Sequence, residues 1–219
     1  MGVAEKAEPL QVNRMAVYLL GFFFVWSFKE LWLIEYIYMF GDIRSPLLEA
    51  FVKSVIWIVP VWLLIKYSLH ADPVSYLKLN VKVKSGLFWG IALSLLLGGG
   101  LILEAFIFDN AAFHYSLSFD DYLNTFIMAG LAEEIVFRGL ILQEINKRMA
   151  FWKANGITAL LFLIIHYPIW IYNDLFHHYG SHLYVFCIGL LFGYIFKRTG
   201  SLWAVILIHG FHNFFLSII

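Results

Sequence analysis

The chain has 219 residues, 62% of them hydrophobic and 14% charged, with 15 basic and 15 acidic side chains. Soluble domains average about 45 to 50% apolar residues, so this composition, with a mean hydropathy of +0.79, excludes a water-soluble globular domain and indicates an integral membrane protein. Zero net charge, with Lys and Arg scattered between apolar blocks, argues against a nucleic-acid partner.

Residues 1 to 13 are polar, and the first apolar run is followed by more charge without a small-residue cleavage site, so no removable signal peptide is expected. A first span is expected over residues 15 to 40, interrupted by Lys29, Glu30 and Glu35, with an aromatic density suited to the interface. The second, residues 47 to 68, should kink at Pro60. Residues 70 to 85 carry Lys78, Lys82 and Lys84 and read as a basic loop or surface helix. In the third span, residues 86 to 108, Gly98, Gly99 and Gly100 suggest close helix packing.

The fourth span covers 119 to 148, the fifth 155 to 172, a short sixth 182 to 197 and the seventh 200 to 219. The sole cysteine, Cys187, lies in the sixth, where it reads as a small core residue; no intramolecular disulfide can form. The fold class expected is an all-α polytopic bundle of about seven spans, with six to eight accommodated. Residues 1 to 219 then form a single membrane domain without internal repeats. Seven crossings place eleven Lys and Arg on the amino-terminal side against Arg44 and Lys53 opposite. The positive-inside rule then sets the N-terminus inside and the C-terminus outside.

The fourth span concentrates the chemistry. Glu133, Glu134 and Arg138 lie near its midpoint, where an ionisable side chain costs about 2.5 to 3.5 kcal/mol on insertion scales and therefore marks a functional site. At about 100° per residue, Glu134 and Arg138 share a face, while Glu133 points about 140° away from Arg138, clear of the most obvious salt bridge. The bland reading of the three is a buried ion-pair network joining helices.

His166 and His209 lie at similar depth on the fifth and seventh spans. Groups that avoid lipid must face one another or water, so a shared polar pocket is expected between spans four, five and seven. Asn213 lies one turn after His209, Phe162 one turn before His166, and Pro168 bends the helix beside the His166 ring. His212 turns away and reads as helix packing. His177, His178 and His182 read as a solvated loop cluster, although three histidines could bind a metal.

Three motifs stand in this arrangement: EEIVFR at 133 to 138, FLIIH at 162 to 166 and HGFHN at 209 to 213. Together they resemble the Glu-Glu-x-x-x-Arg, Phe-x-x-x-His and His-x-x-x-Asn signatures of the CAAX-protease and bacteriocin-processing (CPBP, or Abi) family of intramembrane glutamic endopeptidases. That family includes the type II CAAX prenyl endopeptidases. The resemblance covers residues 119 to 219 as a catalytic core and leaves 1 to 118 as spans of unassigned role. It implies that Glu133 is the general base activating a water, that His166 holds that water, and that His209 and Asn213 stabilise the oxyanion. Glu134 and Arg138, with the Phe162 wall, act in support, and no cofactor is implied.

Peptide hydrolysis requires a base for water, donors aimed at the oxyanion and an acid for the leaving amine, and Glu133 could serve as the first and third. No second cysteine or placed Ser-His-Asp set competes as nucleophile. Two other readings stand beside this one. Glu133, His166 and His209 could ligate a catalytic zinc, although the His-Glu-x-x-His spacing on one helix is absent. A non-catalytic scaffold, immunity or sensor protein could use the same pocket for binding. The expected partners are the bilayer and a membrane-associated polypeptide, in a bacterial plasma membrane where peptide maturation or bacteriocin processing are candidate roles; the sequence leaves the oligomeric state open.

Overall fold

The computed structural model describes residues 9–108, 113 and 116–219. Glu5, Lys6 and Glu8 of the polar N-terminus lie outside the described residues. Among the described residues every regular element is helical, and the all-α bundle of about seven spans expected from the sequence is borne out. The rods are α1 (Val12–Tyr38), α2 (Arg44–Ser68), a short connecting α3 (Pro73–Tyr76), α4 (Val83–Phe108), α5 (121–146), α6 (Phe151–Tyr172), α7 (Tyr179–Thr199) and α8 (Leu202–Ile218). Five of them, α1, α2, α4, α6 and α7, are long and apolar enough to cross a membrane, and α8 is apolar but shorter. The charges of α5 set it apart from those five.

Helices with lipid on one side gain little from hydrophobic association and approach through small residues. Two glycines seat α8 against α5. A Cβ on Gly130 would lie 2.7 Å from the Ile206 carbonyl oxygen, and one on Gly210 would lie 2.5 Å from that of Phe126. On the other side of α8, Gly90 admits Leu207 and Gly98 admits the Phe215 ring. Close packing thus holds for Gly98, whereas Gly99 and Gly100 face open space. The core lies around Trp57, Phe137, Phe162, Phe192 and Ile208, and Phe24, Leu95, Leu96 and Leu103 point outward from the bundle.

Three rods depart from α-helical hydrogen bonding. Wider π turns run over Lys29–Leu33 in α1, Ser54–Ile58 in α2, and Asp121–Glu133 and Ile135–Leu142 in α5. In α2 the π segment ends two residues before Pro60, which stands in the first turn of the α-helix that resumes at Val59. In α6 regular helix stops at Ile164 and resumes at Tyr167, with Pro168 in the new first turn, so the break falls on His166 as expected.

Loops at one end of the bundle tie onto Glu144. Its carboxylate accepts from the Leu10 amide at 2.7 Å, from Lys147 at 2.6 Å and from the Tyr76 hydroxyl. Burial, then the bond to Glu144, pushes the Tyr76 phenol above its ordinary value. The N-terminal spans are therefore packed into the same body as the rest.

Two expectations are corrected. Cys187 is exposed rather than a core residue, because it lies on the outward side of α7 while Gly189, Phe192 and Gly193 take the inward side. Lys53, counted among the bases of the opposite side, is 7% exposed within α2, where an acid on α5 meets it.

Candidate active site

The two glutamates of α5 are separated by their partners. Glu134 is fully buried, and its Oε1 accepts from Arg138 Nη1 at 2.7 Å, one turn along the same helix, as the spacing predicts. Arg138 continues through Nη2 to the Gly189 carbonyl on α7 at 2.9 Å, and its guanidinium lies 4.6 Å from the Phe162 ring centre. The same Glu134 oxygen meets His209 Nδ1 at 2.8 Å. A fully buried charge survives only when paired and hydrogen-bonded, and Glu134 has both partners.

Glu133 departs from the sequence expectation of a free carboxylate. Its Oε1 forms a 2.9 Å salt bridge with Lys53 Nζ of α2, and its Oε2 lies 3.8 Å from His209 Nε2. The π turns of α5 account for the convergence, because a wider turn brings residues five apart nearer to one face than α-helical geometry does. His209 consequently stands between both glutamates, with Nδ1 toward Glu134 and Nε2 toward Glu133.

Phe162 assembles the remaining parts. Its ring packs edge-on to Phe137 at 5.1 Å, to His166 at 5.0 Å and to His209 at 5.8 Å. His166 is half-buried at the helix break, and its Nδ1 lies 2.7 Å from the Phe162 carbonyl oxygen. That bond makes Nδ1 the protonated nitrogen and leaves Nε2 as an acceptor. Asn213 is also half-buried; its amide donates to the Thr125 carbonyl at 3.3 Å and its Oδ1 lies 3.3 Å from His212 Nδ1. Among the described residues no hydrogen bond joins Asn213 to His209 or Glu133.

The structure therefore gathers Glu133, Glu134, Arg138, Phe162, His166 and His209, with Asn213 one turn further along α8. Among the described residues no three His, Cys, Asp or Glu side chains are grouped as ligands of a metal ion would be, neither Glu133, His166 and His209 nor the loop histidines. His177 and His178 are exposed, and His182 Nε2 meets the Phe176 carbonyl oxygen at 2.9 Å. His212 is a packed histidine with its own partner, the Tyr184 hydroxyl on Nε2 at 2.5 Å.

Sequence reasoning missed the charges contributed by the first two spans. Lys29 is 1% exposed and pairs with Glu49 at 2.5 Å and Glu30 at 3.2 Å. Trp26 links this group to the site, with Lys29 Nζ 4.7 Å and Lys53 Nζ 5.7 Å from its ring centre. The available signal was the position of Lys53 inside an apolar run long enough to span, where a lysine requires an acid on a neighbour.

With this geometry in place, residues 116–215 match the family described as type II CAAX prenyl endopeptidase Rce1-like. This part of the chain is similar to that family across 100 of the 219 residues. The match begins beyond α4 and contains every residue of the three motifs, while Lys29, Glu49 and Lys53 lie outside it. No curated protein and no solved structure shows significant similarity to the chain. The apolar helices, together with this similarity, support a multi-pass membrane protein.

Proposed function

We propose that the chain is an intramembrane endopeptidase that hydrolyses a peptide bond of a membrane-associated polypeptide, with Glu133 as general base. The observation that carries this reading is the placement of His209 between two carboxylates, its Nε2 3.8 Å from Glu133 Oε2. Glu133 takes a proton from water held by His166 Nε2. The hydroxide adds to the scissile carbonyl, His209 Nε2–H and the Asn213 amide donate to the oxyanion, and Glu133 returns the proton to the leaving amine.

His209 can donate from Nε2 while Nδ1 serves Glu134 only if it carries both protons. Glu133 and Glu134 are matched by Lys53 and Arg138, while Glu30 and Glu49 share the single Lys29, so the unmatched carboxylate of the buried set lies beside Lys29. Lys53 pairs with Glu133 and orients it, which gives the N-terminal spans a part in a single functional domain over residues 1 to 219. The orientation in this reading is N-terminus inside and C-terminus outside, in a bacterial plasma membrane. With Lys53 buried, only Arg44 of the two bases assigned opposite stays there, which sharpens the charge bias.

The test compares membrane peptidomes of cells carrying the native chain and Glu133→Gln. Fragments present only with the native chain support proteolysis, and indistinguishable peptidomes end the proposal. Cleavage that requires zinc after chelation would replace the glutamate–water mechanism with a metal one. One observation favours a second reading, a non-catalytic scaffold: Glu133 Oε1 is already engaged by Lys53. A scaffold function survives Glu133→Gln, whereas proteolysis does not.

A further inference from the structure

Away from the site, α4 and α7 both lean on α8 yet touch each other sparingly. Between them lies an open groove of about 560 Å³, walled by Trp89, Leu96 and Leu191 and ending at Lys82 and Arg198. Tyr194 forms part of its rim and is stacked on Trp152 of α6, with ring centres 5.7 Å apart. The groove therefore has an apolar throat, an aromatic rim and a cationic mouth, in the order in which a bilayer presents acyl chain, interface and headgroup.

The charge at the mouth is uncompensated. Among the described residues neither Lys82 nor Arg198 has an ion-pair partner, although the acids inside the bundle are paired. Neighbouring Lys78 is held below the ordinary lysine value, first by burial and then by the charge of Lys82. From Lys82 to Leu97, the deepest lining residue on α4, the helix rises about 22 Å, long enough for a lipid tail.

We propose that this groove is a binding site for one anionic phospholipid, its phosphate held by Lys82 and Arg198 and an acyl chain lying along Trp89, Leu96 and Leu191. Basic pockets between spanning helices select anionic headgroups, and the added throat turns a diffuse surface attraction into a defined site. The lining fits a phosphate joined to an apolar chain better than a free anion, because most of it is hydrocarbon.

The full chain is reconstituted in vesicles of equal parts phosphatidylcholine and phosphatidylglycerol, extracted in mild detergent, and its retained lipid is weighed by native mass spectrometry. The native protein is expected to retain phosphatidylglycerol over phosphatidylcholine. Lys82→Ala with Arg198→Ala should lower that retention on the order of tenfold, while Lys84→Ala, a neighbouring exposed lysine outside the lining, leaves it unchanged. Leu96→Trp narrows the throat at constant charge and should lower retention as well. Equal losses in Lys84→Ala and the double variant would reduce the effect to general surface charge. Retention unchanged by either the double variant or Leu96→Trp would overturn the site, and displacement by inorganic phosphate alone would show an anion site without a lipid. None of these readouts depends on peptide hydrolysis.

Discussion

Two charged clusters lie within this bundle, and they solve the same problem differently. The first, on α1 and α2, sets Lys29 against Glu49 and Glu30 with Trp26 over the ammonium. The second, on α5 and α8, sets Glu134 against Arg138 and His209 and leaves Glu133 shared between Lys53 and a 3.8 Å approach to His209. Both bury charge at a depth where unpaired ions are expensive. The first is built from one lysine and two acids alone. The second adds an imidazole set between two carboxylates and a glutamate whose second oxygen faces it. Pairing alone is therefore structural in one place and permissive of chemistry in the other.

The largest expected effect separates the two on activity. Glu133→Gln keeps the size of the side chain and removes its basicity, so cleavage should fall by about 10²- to 10⁴-fold, the usual contribution of general acid–base catalysis. Glu49→Gln is equally conservative in the other cluster and should leave most cleavage intact. Fragment release measured from the two purified variants in the same vesicles checks this, and equal losses would merge the clusters into one catalytic unit.

Next in size is stability within the second cluster. Arg138 has no exposed surface and serves Glu134, the Gly189 carbonyl and the Phe162 face at once. Arg138→Met strands Glu134, and breaking a buried pair from one side destabilises by about 3 to 5 kcal/mol. Thermal unfolding in detergent should show a large downward shift, mostly restored when Glu134→Gln is added. Failure of the second substitution to restore it would mean that Arg138 acts through Gly189 and Phe162 rather than through the carboxylate.

Lys53 joins the clusters, and its side chain and that of Glu133 retain 9% and 11% exposure. Residual solvent lowers the effect of Lys53→Met below that of Arg138→Met, to about 2 to 3 kcal/mol after allowing for screening. Loss of cleavage should exceed what the lost stability explains, because Glu133 is then free to turn. Adding Glu133→Gln should recover stability without recovering cleavage. A variant that is stable and fully active would remove Lys53 from the mechanism.

Most of the site was legible because the motifs are local. Glu134 and Arg138 lie four residues apart on one helix, so periodicity alone predicts their bond, and Pro168 marks the break at His166. The partner of Glu133 was illegible for a geometrical reason. Lys53 lies eighty positions away on another rod, and nothing in the local sequence states which face of α2 meets α5. The π turns that bring Glu133 round to His209 contain Gly130 and Gly139 but no proline, and neither glycine announces a π turn in the sequence, so an α-helical wheel places that carboxylate too far from Arg138's side. Likewise the sequence shows Gly98, Gly99 and Gly100 as equivalent, and only the position of Phe215 selects the first.

The smallest expected effect tests the charge count directly. Lys29 is held at 2.5 Å by Glu49 and at 3.2 Å by Glu30, so the longer bond is the weaker restraint on the same ammonium. Four buried carboxylates against three cations leave one negative charge to be neutralised by a proton. Glu30→Gln removes that surplus while Glu49 still pairs Lys29, so the change in stability should lie within about 0.5 kcal/mol of zero, with any shift toward higher stability. A loss of stability as large as that of Arg138→Met would show instead that Glu30 is a required partner of Lys29 and that the surplus lies elsewhere.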